Sequence, residues 1–208
     1  MRDWMEIAIA IGEIMLLIGV LIGSVFFHEI GHLLAFRANN IDVETVSVGF
    51  PIEGISLVLW KDSQGTKYQI TPLLILGYTS PTKEGQQIFE GLSLIPKIGI
   101  LIAGPAFNFV LAIGLTGFYF LLKRSSLRKF PRTLQGIKLM SYINLILGTG
   151  NLVVVFPGID GGRILQLLIT PWLDENAVWV TYSFGFLNLI LFEEKIYPWL
   201  KKKVYKLE

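Results

Sequence analysis

The amino-acid sequence predicts an all-α membrane protein, a polytopic bundle of about four transmembrane helices with a small β-hairpin insertion after the first. Hydrophobic residues make up 52% of the chain and mean hydropathy is +0.58. Charged residues make up 16%, against about 25% in soluble domains. Long apolar runs also alternate with short polar connections, as in helices that cross a bilayer. We therefore expect one membrane-embedded core over residues 1–208, surrounded by lipid in the cell membrane.

Charge and cysteine content restrict the function further. A formal net charge of +2 is too small to indicate a nucleic-acid partner, and nothing in the composition indicates an oligomeric state. The chain has no cysteine, which excludes disulfides and thiolate ligands. Any metal site must therefore use histidine and carboxylate side chains.

The first predicted span runs from about Trp4 to Phe36. The stretch from Glu13 to Arg37 would form about 36 Å of helix, enough to cross a hydrocarbon core of about 30 Å. Glu13 either marks the far interface or is an intramembrane carboxylate. This segment runs directly into a polar motif, so we interpret it as a span and not as a cleaved signal peptide.

Residues 39–90 form the predicted β-rich insertion. Alternating stretches at Val43–Val48, Ile55–Trp60 and Thr66–Ile70 indicate strands, and the turn Asp62–Gly65 would join the last two into a hairpin.

The stretch Pro72–Tyr78, which follows the predicted hairpin, is unusually apolar for a solvated loop. Burial against the bundle and re-entry toward the functional site both explain this composition. The sequence does not separate the two.

Three further spans complete the predicted bundle. The second contains Pro105, which frees backbone groups that neighbouring helices must satisfy. A basic connection, Lys123–Lys138, separates it from the third span, and a lysine-rich tail at Lys201–Lys203 would anchor the end of the chain at the interface. The predicted spans cover about Ile98–Leu122, a stretch that begins near Leu139, and Asn176–Phe192.

The strongest motif lies inside the first span, where the chain reads His28-Glu29-Ile30-Gly31-His32. Residues four apart share one face of a helix, so His28 and His32 can bind one metal ion, with Glu29 beside them as the base. Imidazoles bind Zn²⁺ at about 2.0 to 2.1 Å, and the metal lowers the pKa of its bound water to about 7. A chance grouping is disfavoured because the chain has two histidines, both in an apolar segment where unpaired polar groups are costly.

A second polar feature interrupts the third span. Between Asn151 and Arg163 the chain contains one proline and three glycines around a single carboxylate, Asp160. The apolar flanks indicate that this break lies at membrane depth. An aspartate of a solvated loop is the alternative.

Together these features resemble the site-2 protease family, the intramembrane zinc metalloproteases. The residues that carry the resemblance are His28–His32, Val46–Phe50, Gly104–Asn108 and Phe156–Gly162, in the family's order. The resemblance implies His28, His32 and Asp160 as zinc ligands and Glu29 as general base. A count of ligand types agrees, since a three-ligand site without a third histidine or a cysteine needs a carboxylate.

The chain departs from the family pattern in one motif. An asparagine usually stands eight residues before the aspartate and a proline three residues after that asparagine. Here those positions are Leu152 and Val155, and Asn151 is one residue early. Asn151 and Asn108 are nonetheless candidates for substrate or oxyanion contacts, and Asn108 is equally a candidate for packing between helices.

The predicted function is zinc-dependent cleavage of transmembrane segments of other membrane proteins. The hairpin region would hold an unwound substrate segment as an added strand. A non-proteolytic zinc protein that captures transmembrane helices is the alternative, although it has no need for Glu29. Metal transport is a third class, disfavoured because the spans offer few further ionisable residues.

Membrane orientation is predicted in two ways that disagree. Counting positive charges puts the basic connection in the cytoplasm, together with both termini. The family arrangement instead places residues 37–97 inside and the basic connection outside. We favour the family arrangement because it is based on motifs along the whole chain.

Overall fold

The computed structural model describes residues 2–50, 55–124, 131–191, 194 and 198, and the chain divides into two units, Met1–Gly148 and Thr149–Glu208. The predicted tail Lys201–Lys203 lies outside the described residues. In chain order the elements are α1 (Arg2–Ala38), β1 (Val43–Phe50), β2 (Leu57–Lys61), β3 (Lys67–Ile70), β4 (Leu73–Pro81), α2 (Lys83–Gly91), α3 (Leu94–Arg124), α4 (Pro131–Val153), α5 (Asp160–Leu173) and α6 (Asn176–Leu191).

Helix α1 ends in a Schellman motif. Asn40 adopts the left-handed conformation with φ of 57°, which asparagine tolerates better than most residues. The N–H of Asn40 then donates to the carbonyl of Arg37, and the N–H of Ile41 donates to the carbonyl of Phe36. These bonds satisfy the last carbonyl groups of α1 and turn the chain into β1.

The four strands form one mixed sheet in the order β2-β3-β1-β4. Strand β1 pairs in parallel with β3 and antiparallel with β4, and β2 pairs antiparallel with β3. The predicted hairpin is present as β2 and β3, but the apolar stretch after it is the further strand β4. The sheet packs on the second half of α1 through a core of eight buried residues: Leu33, Phe36, Ile41, Val43, Val46, Tyr68, Phe89 and Ile100.

The predicted fold class, an all-α bundle of about four transmembrane helices, is therefore wrong. Besides the sheet, only two helices of the described part are long and apolar enough to cross a membrane, Trp4–Ala38 and Leu94–Arg124. Helix α6 has 16 residues as far as it is described, about 24 Å at 1.5 Å per residue. Helix α4 has 23 residues, but polar side chains such as Lys138 and Asn144 recur along it. The predicted fourth span, at α6, therefore fails on length, and the predicted third span, at α4, fails on composition.

Helices α1, α3 and α4 contact one another through short polar bonds. Contacts between α1 and α3 run from Ser24 with Asn108 to His32 with Ile100, so the two helices are antiparallel. Ser141 of α4 donates to the carbonyl of Ala112 on α3 at 2.9 Å. Such bonds hold helices together where lipid gives no hydrophobic driving force.

A polar cluster joins the end of α1 to the turn between β2 and β3. Arg37 forms an ion pair with Asp62, with 2.6 Å between Nη2 and Oδ2, and the hydroxyl of Tyr68 donates to the same oxygen at 3.0 Å. Burial acts to raise the pKa of the Asp62 carboxyl, but the hydrogen bonds that this carboxylate accepts outweigh it and leave the pKa lowered. Burial and the neighbouring Asp62 raise the pKa of Tyr68. The cluster therefore favours an ionised carboxylate beside a neutral phenol.

In the second unit, the backbone that precedes α5 lies tightly against the first turn of that helix. A Cβ on Gly162 would overlap the backbone of Phe156. A Cβ on Gly161 would meet the carbonyl of Leu152 in the same way. Phe156 also packs edge-on against Tyr182 of α6, with ring centroids 5.5 Å apart. Glycine at both positions lets the first turn of α5 lie directly on the preceding chain.

Candidate active site

His28 and His32 lie on the face of α1 that contacts α3. Both side chains are buried, and their Nε2 atoms are 3.2 Å apart. Two imidazole nitrogens bound to one tetrahedral Zn²⁺ at about 2.0 to 2.1 Å would lie about 3.3 Å apart. The spacing of the two histidines therefore fits a shared metal ion.

The partners of the Nδ1 atoms determine which nitrogen of each imidazole presents its lone pair to a metal ion. His32 Nδ1 donates to the carbonyl of Ile100 at 2.8 Å, and a carbonyl can only accept. His28 Nδ1 lies 2.6 Å from Oδ1 of Asn108, which also accepts. Each neutral ring therefore carries its proton on Nδ1 and its lone pair on Nε2. Two Nε2 lone pairs that converge at 3.2 Å can bind one cation together, so the donor set fits a zinc ion.

Two glycines provide the room for this arrangement. A Cβ on Gly104 of α3 would overlap Nε2 of His32 and would lie 2.6 Å from Nε2 of His28. A Cβ on Gly31 would overlap the carbonyl of Ala103. Gly31 therefore allows α1 and α3 to approach closely, and Gly104 leaves space beside the two Nε2 atoms.

Glu29 lies on a different face of α1, against strand β4. The side chain is 3% exposed, and the hydroxyl of Thr79 lies 2.8 Å from its Oε2 and 3.1 Å from its backbone carbonyl. A Cβ on Gly77 would lie 2.5 Å from Oε1 of Glu29. The apolar stretch at the start of β4 thus belongs to a strand that contacts the candidate base.

Asn108 is fully buried and belongs to the network behind His28. Its Oδ1 accepts from His28, and its Nδ2 donates to Oδ1 of Asn144 at 2.9 Å and to the carbonyl of Ser24 at 3.4 Å. Asn108 therefore links α1, α3 and α4 and at the same time orients one of the histidines.

Asp160 and Asn151 belong to the second unit. Asp160 is buried and is the first residue of α5, where the amide groups of the helix N-terminus stabilise a negative charge. Asn151 is half-buried near the end of α4. Among the described residues, Glu29 and Asp160 are the two acidic side chains that are buried.

Sequence reasoning did not identify three residues that shape this site. Thr79 contacts Glu29 across 50 positions of sequence, and Asn144 reaches His28 only through Asn108. No local pattern connects these pairs. Gly104 belongs to the Gly104–Asn108 motif, and this position in a motif indicated that the residue matters. Its role beside the histidines was not predicted.

A pair of buried histidines with converging Nε2 atoms, next to a buried glutamate on the same turn, is the arrangement of a metal-dependent hydrolase. Sequence comparison identifies the family. The model of peptidase family M50 matches residues 16–138, more than half of the chain, so the chain belongs to this family. The predicted resemblance to site-2 proteases is thereby confirmed.

Individual relatives agree with this assignment. The chain is 39% identical over 98 residues to "Putative zinc metalloprotease Cj1068" of Campylobacter jejuni, a match that covers 42% of this chain and 26% of the relative. It is 30% identical over 115 residues to "Regulator of sigma E protease" of Haemophilus influenzae, covering 50% of this chain and 24% of the relative. The chain spans about a quarter of the length of these two relatives.

Proposed function

We propose that this chain is the zinc-dependent core of an intramembrane endopeptidase, which cuts transmembrane segments of other membrane proteins. The observation that carries the proposal is the pair of Nε2 atoms 3.2 Å apart on a helix long enough to cross a bilayer, with a buried glutamate beside them. His28 lies nine residues before Arg37, which places His28 about 13 Å along α1 from that basic residue.

In this proposal His28 and His32 hold zinc through Nε2, and Asp160 supplies the third protein ligand. The chain offers no cysteine and no third histidine. Of the two buried acidic residues described, Glu29 is the candidate base, and Asp160 is the carboxylate that the family resemblance assigns to the metal. Coordination would also offset the cost of a carboxylate at membrane depth, about 2.5 to 3.5 kcal/mol on insertion scales.

When bound, zinc would supply Lewis-acid polarisation of the scissile carbonyl and of the attacking water. Glu29 accepts the proton of that water and passes it to the leaving amine. The amide donors of Asn108 are directed to Asn144 and Ser24, so its Oδ1 faces His28 and holds that ring in place. Asn151 remains a candidate for contact with the substrate backbone.

A transmembrane substrate must be unwound before cleavage, because its carbonyls are engaged in intrahelical hydrogen bonds. Strand β4 is an outer strand of the described sheet and contacts Glu29 through Thr79. An extended substrate segment paired to β4 would therefore lie next to the base, with its backbone hydrogen bonds satisfied by the sheet.

The test is cleavage of a panel of single-span substrates in liposomes by the wild type and by Glu29→Gln. The amide keeps the shape of the side chain but cannot accept a proton, so we expect cleavage to fall by about 10²- to 10⁴-fold while zinc content stays the same. Cleavage by Glu29→Gln at the wild-type rate would contradict the role of Glu29. Substrate binding by the wild type without any cleavage would favour the alternative function, capture of transmembrane helices.

A further inference from the structure

The hydrogen-bond chain behind His28 extends one residue beyond Asn108, to a fully buried asparagine on α4. Asn144 donates from Nδ2 to the carbonyl of Met140 and to the hydroxyl of Ser24, both at 2.9 Å. Its Oδ1 accepts from Nδ2 of Asn108 at 2.9 Å. All three contacts lie within the first unit, and Asn144 touches neither histidine through any of them.

A backbone carbonyl sets the direction of this chain. The carbonyl of Met140 only accepts, so the amide nitrogen of Asn144 must face it and Oδ1 of Asn144 must face Asn108. Asn108 is then obliged to present Nδ2 to Asn144 and Oδ1 to His28. That acceptor requires the proton of the His28 imidazole to be on Nδ1, which leaves the lone pair on Nε2.

Without Asn144, little would hold the amide of Asn108 in this orientation. Its other acceptor, the carbonyl of Ser24, is 3.4 Å away, beyond the usual 2.7–3.2 Å range of N–H···O bonds. A flipped Asn108 would present N–H groups to His28 and favour the opposite tautomer, with the proton on Nε2. That tautomer cannot bind a metal through Nε2.

We propose that Asn144 is a positioning residue that acts through Asn108 to fix the tautomer and ring orientation of His28. The inference rests on the proposed role of His28 as a zinc ligand, and goes beyond it by assigning to α4 a part in metal affinity. Partners behind a ligating histidine typically contribute about 10- to 100-fold to metal affinity.

The first test measures zinc affinity of the full chain in detergent by competition with a chelator. Asn144→Leu keeps a similar volume but removes the acceptor, so we expect affinity to fall about 10- to 100-fold. Asn144→Asp retains an acceptor toward Asn108 and should stay within a few-fold of the wild type. Ser141→Ala is the matched control, since Ser141 lies one turn earlier on α4 and donates to the carbonyl of Ala112.

A double-mutant cycle separates action through Asn108 from a general packing effect. In an Asn108→Leu background, Asn144→Leu should cause little further loss of zinc affinity, because the link is already broken. Ser141→Ala should have the same small effect in both backgrounds. Additive losses from the two asparagine variants would overturn the proposal, as would equal losses from Asn144→Leu and Asn144→Asp.

The second test needs no metal and therefore separates this inference from the proposed function. With two histidines in the chain, ¹⁵N-histidine labelling of the apoprotein gives one set of ring signals for each. In the wild type, the signals of the neutral His28 ring should show the proton on Nδ1. Asn144→Leu should shift His28 toward the other tautomer and leave His32 unchanged. An unchanged His28 spectrum in folded Asn144→Leu would overturn the inference even if zinc binding by the wild type is established.

Discussion

The two faces of α1 that carry the candidate site are supported in different ways. The face with His28 and His32 lies against α3. There the buried amide of Asn108 fixes the His28 ring, and the backbone carbonyl of Ile100 fixes the His32 ring. The face with Glu29 lies against β4, where the hydroxyl of Thr79 contacts the carboxylate. The positions of the candidate metal ligands His28 and His32 therefore depend on helix packing, whereas that of the candidate base depends on the sheet.

This difference predicts that metal affinity and catalytic rate can be damaged separately. Changes on the α3 side should remove zinc, and changes on the β4 side should slow cleavage with zinc retained. Changes in the sheet away from β4 should affect only the stability of the folded chain.

The largest effect is expected at Gly104. In Gly104→Ala the new Cβ would occupy the space beside both Nε2 atoms, so zinc affinity should fall on the order of 100-fold, a loss measurable by chelator competition. Gly99→Ala is the matched control, because a Cβ at Gly99 of the same helix meets nothing within 4 Å. Wild-type affinity in Gly104→Ala would show that the metal does not lie where the two Nε2 atoms converge.

A smaller and different effect is expected at Thr79. Thr79→Val keeps the shape of the side chain but removes the hydrogen bond to Glu29, and bonds to charged groups contribute about 1.5 to 3 kcal/mol. We expect cleavage to slow by about tenfold or more, with zinc content unchanged, and Thr79→Ser to restore most of the rate. Loss of zinc in Thr79→Val would contradict the separation of the two faces.

The smallest effect is expected at Asp62, away from both faces. Its pKa is lowered in the folded chain, so its contribution to stability is present above the unfolded pKa, near 3.8, and is lost as pH falls through the folded pKa. Asp62→Asn should destabilise the chain by about 1 kcal/mol at neutral pH, measured by thermal unfolding.

The difference between wild type and Asp62→Asn should disappear in strongly acidic solution. Glu44→Gln is the control, because the ion pair of Glu44 with Lys67 is more exposed and should contribute almost nothing. An equal loss of stability in both variants, or a difference that persists in acid, would contradict the role assigned to Asp62.

The pairing of His28 with His32 could be predicted from the sequence, and the contact of Glu29 with β4 could not. His28 and His32 share a helix face because four residues make about one turn, so their spacing alone predicts that they could bind one metal ion together. Thr79 reaches Glu29 only because β4 pairs with β1 and packs on α1, a contact that no local pattern encodes.

The predicted fold failed for a related reason. Most of the apolar stretch Pro72–Tyr78 lies in β4, an outer strand of the described sheet, and its composition does not identify the partner strand β1. Apolar runs in the later part of the chain predicted two further spans, although α6 is about 24 Å long as described. The hydrophobic composition of these segments thus determined neither the pairing of β4 nor the length of α6.

The most direct test of the central claim, a zinc site built on the α3 face of α1, is the zinc content of the purified full chain. We expect about one zinc per wild-type chain. His28→Ala and Asp160→Ala should lose most of it, and Asp174→Ala, which changes an exposed aspartate of the second unit, should keep it. Unchanged zinc content in His28→Ala would contradict the account.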